Sequence, residues 1–182
     1  MIENLNDFEL VQLFINEKNE QAFNLIVKRY QENIYWHCRR MLGNHIDADE
    51  VTQEVLITIY KKLHTFKYES KLGTWIYTIT SNLVLNYIRR KKIKSFLGFD
   101  DLTQDIKDNT DIIQDLDDKL KLEKLNNILK TLPEKQRQIF ILRNFDELSY
   151  EEISQITNTS VGALKASYHH AQKKIMELMK NE

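Results

Sequence analysis

Glycine and proline are nearly missing from this chain, which has 4 Gly and 1 Pro among 182 residues. Tight turns between β-strands depend on both residues, because glycine reaches positive φ at no steric cost and proline presets the turn. A fold made of many strands therefore does not fit this composition. The sequence predicts an all-α protein.

Capping patterns and apolar spacing divide the chain into successive helices. Four patterns place a polar residue three positions before an acid: Asn6 with Glu9, Asp47 with Glu50, Thr131 with Glu134, and Ser149 with Glu152. Gly43 is suited to a left-handed helix end. After a first short helix, the predicted helices cover about 20–42, 47–64, 74–92, 119–130, 134–144, 150–156 and 161–180.

An acidic stretch separates two helical parts of the chain. From Phe99 to Asp118 there are 8 Asp, no Glu and a single basic residue, Lys107. Asp is a poor helix former, and the like charges repel one another. We therefore expect two small helical domains, at 1–95 and 119–182, joined by an acidic linker at 96–118.

The second domain ends in a helix-turn-helix pattern. This motif needs two short helices, a tight turn of three or four residues, and a second helix that is apolar on one side. The stretch from Ser149 to Lys174 supplies all three. Away from the apolar side lie small and basic residues that could approach a DNA groove and donate to phosphates and base edges. The alternative is an amphipathic helix with a solvated polar face.

Three features of the first domain indicate binding functions. Glu50 and Glu54 are one helical turn apart and share a face, which favours a polar docking surface for a partner. Aromatic residues around the loop at 67–73 are typical of single-strand binding, where bases stack on rings; the alternative is that Trp75 and Tyr77 are core. The helix end at 89–94 has five positive charges in six residues, which favours phosphate binding.

No metal site or cofactor is expected. His169 and His170 are adjacent, so they point about 100° apart on a helix, and no Cys or third His lies nearby. A di-metal carboxylate enzyme would need Glu three residues before a histidine, and none of the five histidines has one.

Cysteine usage and hydropathy indicate the compartment. Cys38 is the only cysteine, so no internal disulfide can form and a reducing environment is expected. The first ten residues lack a signal pattern, and no stretch approaches the roughly 18 apolar residues of a membrane helix. We expect a cytoplasmic protein.

Five segments, in this order and spacing, resemble sigma factors of the extracytoplasmic-function (ECF) group. They are DADEVTQE at 47–54, TWIYTITSN at 74–82 followed by YIRR at 87–90, LPEKQR at 132–137, SYEEIS at 149–154 and VGALK at 161–165. The resemblance covers 7–90 and 122–178 and leaves the linker unmatched. It implies a non-catalytic promoter-specificity subunit, which binds core RNA polymerase and initiates transcription at −10 and −35 elements.

The resemblance also implies which residues act. Docking on the β′ clamp helices of core RNA polymerase would involve Asp47, Glu50, Gln53 and Glu54. Contacts to the −10 element would come from Phe66, Lys67, Lys71, Trp75, Tyr77, Asn82, Asn86, Arg89 and Arg90. Contacts to the −35 element would come from Lys165, Ala166, His169, His170 and Lys173. An anti-sigma factor is a further expected partner.

One departure and one alternative bear on this interpretation. Relatives often carry Arg at the positions of Ser167, His170 and Gln172. The resemblance therefore does not determine which bases the last helix recognises. The alternative function is a helix-turn-helix regulator that binds duplex DNA without polymerase. Such a protein would need neither the carboxylate face nor the aromatic loop.

Overall fold

The structure is a computed structural model that describes residues 2–98 and 116–180, with side chains throughout except at 116–123. Within this part of the chain the elements are α-helices and two short 3-10 turns, without strands. The helices are α1 (Asp7–Glu17), α2 (Glu20–Leu42), α3 (His45–Lys62), α4 (Leu72–Phe96), α5 (Leu116–Thr131), α6 (Glu134–Asn144), α7 (Tyr150–Thr157) and α8 (Val161–Lys180). The all-α prediction is confirmed.

Local signals account for several helix ends. The capping boxes at Asn6 and Ser149 both form, with side-chain and backbone bonds in each direction. Gly43 ends α2 at φ 84°, where a β-carbon would be strained. The predicted bounds of α2 and α8 agree with the structure.

Two predicted capping boxes are wrong. Asn44 caps α3 instead of Asp47, and its Oδ1 accepts from the backbone N–H of Asp47 at 2.8 Å. Asn is as good an N-cap as Asp, and this choice leaves the Asp47 carboxylate for other helices. Before α6, the Thr131 hydroxyl donates back to the carbonyl of Ile128, and Pro133 occupies the N-cap position without a side-chain bond.

The helix α4 differs from its prediction in two ways. It begins two residues before Thr74 and runs four residues beyond Lys92. Ser81, next to the exposed Asn82, is buried at 2% exposure although its side chain is polar. Most of the predicted linker, 99–115, lies outside the described residues, although α5 already begins at Leu116.

The helices α1 to α4 form the first lobe, a bundle around apolar side chains. Its most buried members include Leu10, Ile26, Val55, Ile76 and Val84. Cys38 is a free thiol in this core, and burial raises its pKa to about 12. A thiol in this environment is inert, as expected for a structural cysteine.

The helices α5 to α8 form the second lobe, in which α7 and α8 make the helix-turn-helix. Ile153 of α7 and Leu164 of α8 are fully buried and pack with Leu142 of α6. Asn158 turns the chain between α7 and α8 in the left-handed conformation, at φ 50°. Asn tolerates this conformation better than most residues.

The two lobes pack against each other, an arrangement that the sequence had left open. Ile128, Leu129 and Ile141 of the second lobe belong to one apolar cluster with the core of the first lobe. The buried Arg137 side chain donates through Nη1 to the carbonyl of Met41 at 2.9 Å, near the end of α2. Helix carbonyls at this end lack partners within the helix, so a guanidinium there is favourable.

Candidate functional site

The predicted docking carboxylates lie against the predicted basic helix end. Asp47 is 8% exposed, and its carboxylate accepts from Lys91 at 2.6 Å and from the Tyr87 hydroxyl at 2.7 Å. Burial opposes ionisation, but these bonds, with one from Asn44, hold the pKa of Asp47 below its usual value. The Tyr87 hydroxyl has a raised pKa because of burial and its bond to Asp47.

A second pair of contacts extends this α3–α4 junction. Arg90 lies 3.3 Å from the Glu54 carboxylate, and the Tyr87 hydroxyl lies 3.3 Å from a Glu50 oxygen. Both distances are long and both groups are partly solvated, so each contact contributes little by itself. The junction nevertheless fixes how the acidic face of α3 sits beside the basic end of α4.

The outer face of α3 is partly apolar, which sequence reasoning missed. Ile46 is 50% exposed and Ile57 is 55% exposed. With the exposed Glu50 and Gln53 they occupy positions spaced by four, three and four residues, which share one helix face. We call Ile46, Glu50, Gln53 and Ile57 the α3 face. The two isoleucines leave apolar surface at both ends of a polar pair on this face.

The aromatic residues near the 66–71 loop form a connected group. Phe66 is buried, with its ring centroid 5.6 Å from Trp75 and 4.8 Å from Tyr68. Tyr68 adopts φ 61° and is exposed, and its ring lies 4.8 Å from that of Phe8. Phe8 is 54% exposed; sequence reasoning missed it because it belongs to α1, far away in the chain.

The polar side of α4 is open to solvent. Asn82, Asn86, Arg89 and Arg90 are all exposed; Asn86 follows Asn82 by four residues, and the two arginines follow Asn86 by three and four. The Asn86 side-chain oxygen accepts from Arg89 at 3.4 Å, a weak contact that leaves both groups available. Tyr77, by contrast, is 6% exposed and packs against the second lobe.

The 66–71 loop faces the second lobe across a cleft of about 590 Å³. Lys71 bridges it, with its Nζ 2.9 Å from Oε1 of Glu152. The backbone N–H of Ser149 and the ammonium of Lys71 lower the pKa of Glu152 to about 2. Lys67 is exposed and lies outside this contact.

The predicted reading residues of α8 form an open surface. Lys165, Ala166, His169, His170 and Lys173 are all exposed. Leu164, Ala171 and Ile175 on the opposite side are buried, while Met176 and Met179 near the end of the helix are exposed. Within the described residues no group of three or more His, Cys, Asp and Glu side chains is placed to hold a metal ion.

Residues 26–93 match the family Sigma-70 region 2, and residues 122–175 match Sigma-70, region 4. The ECF RNA polymerase sigma factor SigW of Bacillus subtilis is 33% identical over 175 residues, covering 92% of this chain and 94% of that protein. The ECF RNA polymerase sigma-E factor of Escherichia coli K12 is 30% identical, covering 96% and 95%.

Solved structures share the fold. CnrH, in a complex with the cytosolic domain of CnrY, superposes with a TM-score of 0.73 at 17% identity, covering 97% of this chain and 99% of that one. RpoE, in a complex with the anti-sigma factor NepR from Bartonella quintana, has the same TM-score at 22% identity, covering 88% and 98%.

The family follows from the regions matched and from the extent of the likeness to SigW. Both sigma-70 regions occur in the expected order, one in each lobe. The match to SigW runs over nearly the whole of both chains, so it is not limited to a shared DNA-binding motif. This chain belongs to the ECF RNA polymerase sigma factors, the promoter-recognising sigma subunits of RNA polymerase.

Proposed function

We propose that the three surfaces divide the work of a sigma factor: the α3 face binds core polymerase, α4 with the aromatic loop opens the −10 element, and α8 reads the −35 duplex. The observation that carries the proposal is the α3–α4 junction. Its contacts from Lys91 and Arg90 to Asp47 and Glu54 hold α3, with its α3 face, directly beside the basic end of α4. A regulator that binds only duplex DNA does not need a face for polymerase beside a basic strip for single-stranded DNA.

Polymerase docking is assigned to Glu50, Gln53 and Glu54, joined by the exposed Ile46 and Ile57. The β′ clamp helices are the proposed partner. Apolar anchors beside charged residues suit such a contact, because the anchors supply burial and the charges supply orientation. Asp47 has a positioning role in this proposal, since its carboxylate is already bonded to α4.

Opening of the −10 element is assigned to the exposed strip of α4 and to the loop. Asn82 and Asn86 can hydrogen-bond base edges, while Arg89, Arg90 and Lys67 follow the phosphates. Phe66 and Trp75 form the base of an aromatic platform on which an unpaired base can stack, with Tyr68 and Phe8 at its exposed edge.

Reading of the −35 element is assigned to α8. Its five exposed reading residues lie on the helix that a helix-turn-helix inserts into the major groove. Lys165 and His169 can donate to base edges, and Ala166 lets the helix approach closely. Lys173 lies further along the helix, where a phosphate contact is expected.

The remaining assignments concern catalysis, location in the cell and a regulatory partner. We assign the chain no active site of its own and a cytoplasmic location, where the polymerase works; none of the described helices is long and apolar enough to cross a bilayer. An anti-sigma partner is also proposed. Two proteins of this fold were solved in complexes, one with an anti-sigma factor and one with the cytosolic domain of CnrY.

The experiment is run-off transcription with purified core polymerase and a genomic DNA library, with and without this protein. Transcripts that begin at shared promoter elements only when the protein is present support the proposal. If the protein neither co-purifies with core polymerase nor changes its start sites, the regulator that binds duplex DNA alone becomes the better description.

A further inference from the structure

The last turns of α4 extend beyond the packed core and carry exposed apolar side chains. Ile93 is 60% exposed, Phe96 is 90% exposed and Leu97, just after the helix, is 59% exposed. Neither apolar cluster of the described residues includes any of the three. Single exposed apolar residues are ordinary, but three together on a projecting helix end are a candidate binding surface. We call these three residues the apolar end of α4.

The apolar end continues the exposed strip that is assigned to the −10 element. That strip finishes at Arg89 and Arg90. Ile93 follows these arginines by four and three residues, and Phe96 and Leu97 follow Ile93 by three and four. Residues at such spacings share one side of a helix. The same side of α4 is therefore polar in its middle, then basic, and finally apolar.

Two lysines on other sides of the helix hold this end in place. Lys91 donates to Asp47 of α3 at 2.6 Å, and Lys92 pairs with Glu134 of α6. Both contacts lie within five residues of Phe96, so the direction of the helix end is set by the first lobe and by the start of α6. The apolar end is therefore presented outward on a fixed support.

The charge around the apolar end favours an anionic partner. The helix α4 contains no acidic residue, and five of the six residues at 89–94 are basic. The α3 face, by contrast, is acidic, so the two surfaces suit partners of opposite charge. Nucleic acid combines an anionic backbone with apolar groups on its bases, which matches cations that border an apolar surface.

The length of α4 indicates which part of the promoter the apolar end reaches. Phe96 follows Asn82 by 14 residues, which is about 21 Å along a helix and roughly six base pairs of duplex. The aromatic loop, where unpaired bases are proposed to stack, lies at the opposite end of α4. Strands open downstream of the −10 element toward the transcription start, so the far end of α4 faces the upstream flank, which stays paired.

Paired DNA offers a site of the right size and chemistry. An α-helix with its side chains is about 10–12 Å wide, and the major groove is about 12 Å wide. The thymine C5-methyl is the apolar group on the base edges in this groove, and phenylalanine is among the side chains that contact it.

We propose that the apolar end of α4 enters the major groove of the paired DNA just upstream of the −10 element and contacts thymine methyl groups there. Arg89 and Lys94 bind the flanking phosphates. The inference rests on the proposed function for the placement of α4 on the −10 element. It adds a third stretch of promoter that this chain recognises, about six base pairs upstream of the base at Asn82.

The test removes the methyl groups alone. Holoenzyme binds a promoter recovered by run-off transcription, in which the ten base pairs upstream of the −10 element are replaced by alternating dA·dT or by alternating dA·dU. Gel shifts at a temperature where the DNA stays paired give the affinities. The parent should bind the uracil promoter about three- to tenfold more weakly. Phe96→Ala should bind the thymine promoter that weakly and should not respond to the exchange.

Two matched variants separate this contact from general effects. Ser95→Ala lies on the opposite side of the same helix end, and Met179→Ala removes an exposed apolar side chain from α8. Both should keep the parent affinity and the full response to uracil. Because Phe96 is almost fully exposed, Phe96→Ala should unfold at the same urea concentration as the parent.

Other partners for the apolar end give different results. If Phe96→Ala weakens binding to core polymerase without DNA and leaves the response to uracil intact, the surface docks on polymerase and the proposal is wrong. Binding of the parent, but not of Phe96→Ala, to phosphatidylglycerol vesicles, with no response to uracil, would assign it to a membrane surface instead. A parent that binds both promoters equally also overturns the proposal.

A last arm keeps this inference apart from the proposed function. The full-length chain alone is titrated, by fluorescence anisotropy at low salt, with 30-base-pair duplexes of alternating dA·dT and of alternating dA·dU. We expect weaker binding of the uracil duplex by the parent and equal binding by Phe96→Ala. If run-off transcription recovers no promoter, the proposed function fails, and equal affinity of the parent for the two duplexes then refutes the methyl contact as well.

Discussion

Lys91 of α4 holds its ammonium nitrogen 2.6 Å from the Asp47 carboxylate of α3. Asp47 is 8% exposed and the Lys91 side chain is half exposed, so this contact lies at the edge of the first lobe's core. The Tyr87 hydroxyl shares the same carboxylate at 2.7 Å. The sequence analysis assigned Asp47 to polymerase docking and Lys91 to a basic helix end that binds phosphate. In the structure the two residues belong to one junction between α3 and α4.

The first prediction concerns this junction. Asp47→Ala leaves Tyr87 and Lys91 without their acceptor, so we expect a loss of about 1–3 kcal/mol in the free energy of unfolding. Lys91→Ala should cost less, because the lysine side chain is half exposed. Urea unfolding followed by circular dichroism measures both. If neither variant lowers the free energy of unfolding measurably, the junction does not stabilise the packing of α4 on α3.

The second prediction concerns polymerase docking by the α3 face. Ile57→Lys and the double variant Glu50→Lys/Glu54→Lys should each weaken binding to core polymerase at least tenfold, because an apolar anchor or the charge complementarity is lost. Met176→Lys, an equally exposed site on α8, is the matched control. Co-purification and fluorescence titration with core enzyme give the affinities. Native-level binding by the double variant would refute the assignment.

The structure shows which of these features the sequence could reveal. Ends of helices set by local residues, such as Gly43 and the Ser149 capping box, were predictable because their physics lies within a few residues. The capping box at Asp47 failed because Asn44, three residues earlier, caps the helix and accepts from the backbone N–H of Asp47, so that Asp47 lies inside the first turn. Local patterns cannot decide between two good caps when a tertiary contact favours one of them.

Tertiary relationships account for the rest. Nothing in the spacing of His37 and Asp146 indicates that they meet, since 109 residues separate them. The exposure of Ile57 was equally hidden, because an apolar residue on an amphipathic helix is normally assigned to the core. Ser81 shows the reverse case, because its side chain is polar and would ordinarily be assigned to the surface, yet it is buried at 2% exposure.

The third prediction concerns promoter opening. Asn82→Ala should reduce the open complex more than the closed complex, because its amide is proposed to contact an unpaired base and not duplex DNA. Permanganate footprinting reports unpaired thymines, and gel shifts report total complex. Ser95→Ala, an exposed residue further along the same helix, is the control. Equal loss at both stages would count against a role in strand separation.

The fourth prediction concerns the −35 element. Lys165→Ala and His169→Ala should each change the preferred −35 sequence, at a cost of about 1–3 kcal/mol for every lost base contact, or roughly 5- to 150-fold in affinity. Lys180→Ala, at the end of the same helix, should leave the preference unchanged. A binding selection on randomised −35 sequences with holoenzyme makes the comparison. An unaltered preference in both variants would remove α8 as the reader.

The fifth prediction concerns pH. The pKa of Glu152 is lowered to about 2 by the Ser149 backbone and Lys71, from an ordinary value near 4.5. A lowered pKa means that the ionised form stabilises the folded state above about pH 4.5, and that this contribution is lost as pH falls toward 2. Since the carboxylate is partly solvated, we expect about 1–2 kcal/mol over this window. Glu152→Gln should lack that part of the acid sensitivity.

The measurement is the urea midpoint of the parent and of Glu152→Gln at pH 5 and pH 3. Lys71→Ala separates the two causes, because it removes the contact between the lobes and keeps the capping box within the second lobe. We expect Lys71→Ala to retain most of the pH dependence, since the Ser149 backbone bond is the larger cause. If Lys71→Ala abolishes the pH dependence instead, the Glu152 carboxylate stabilises the packing of the two lobes more than it stabilises the start of α7.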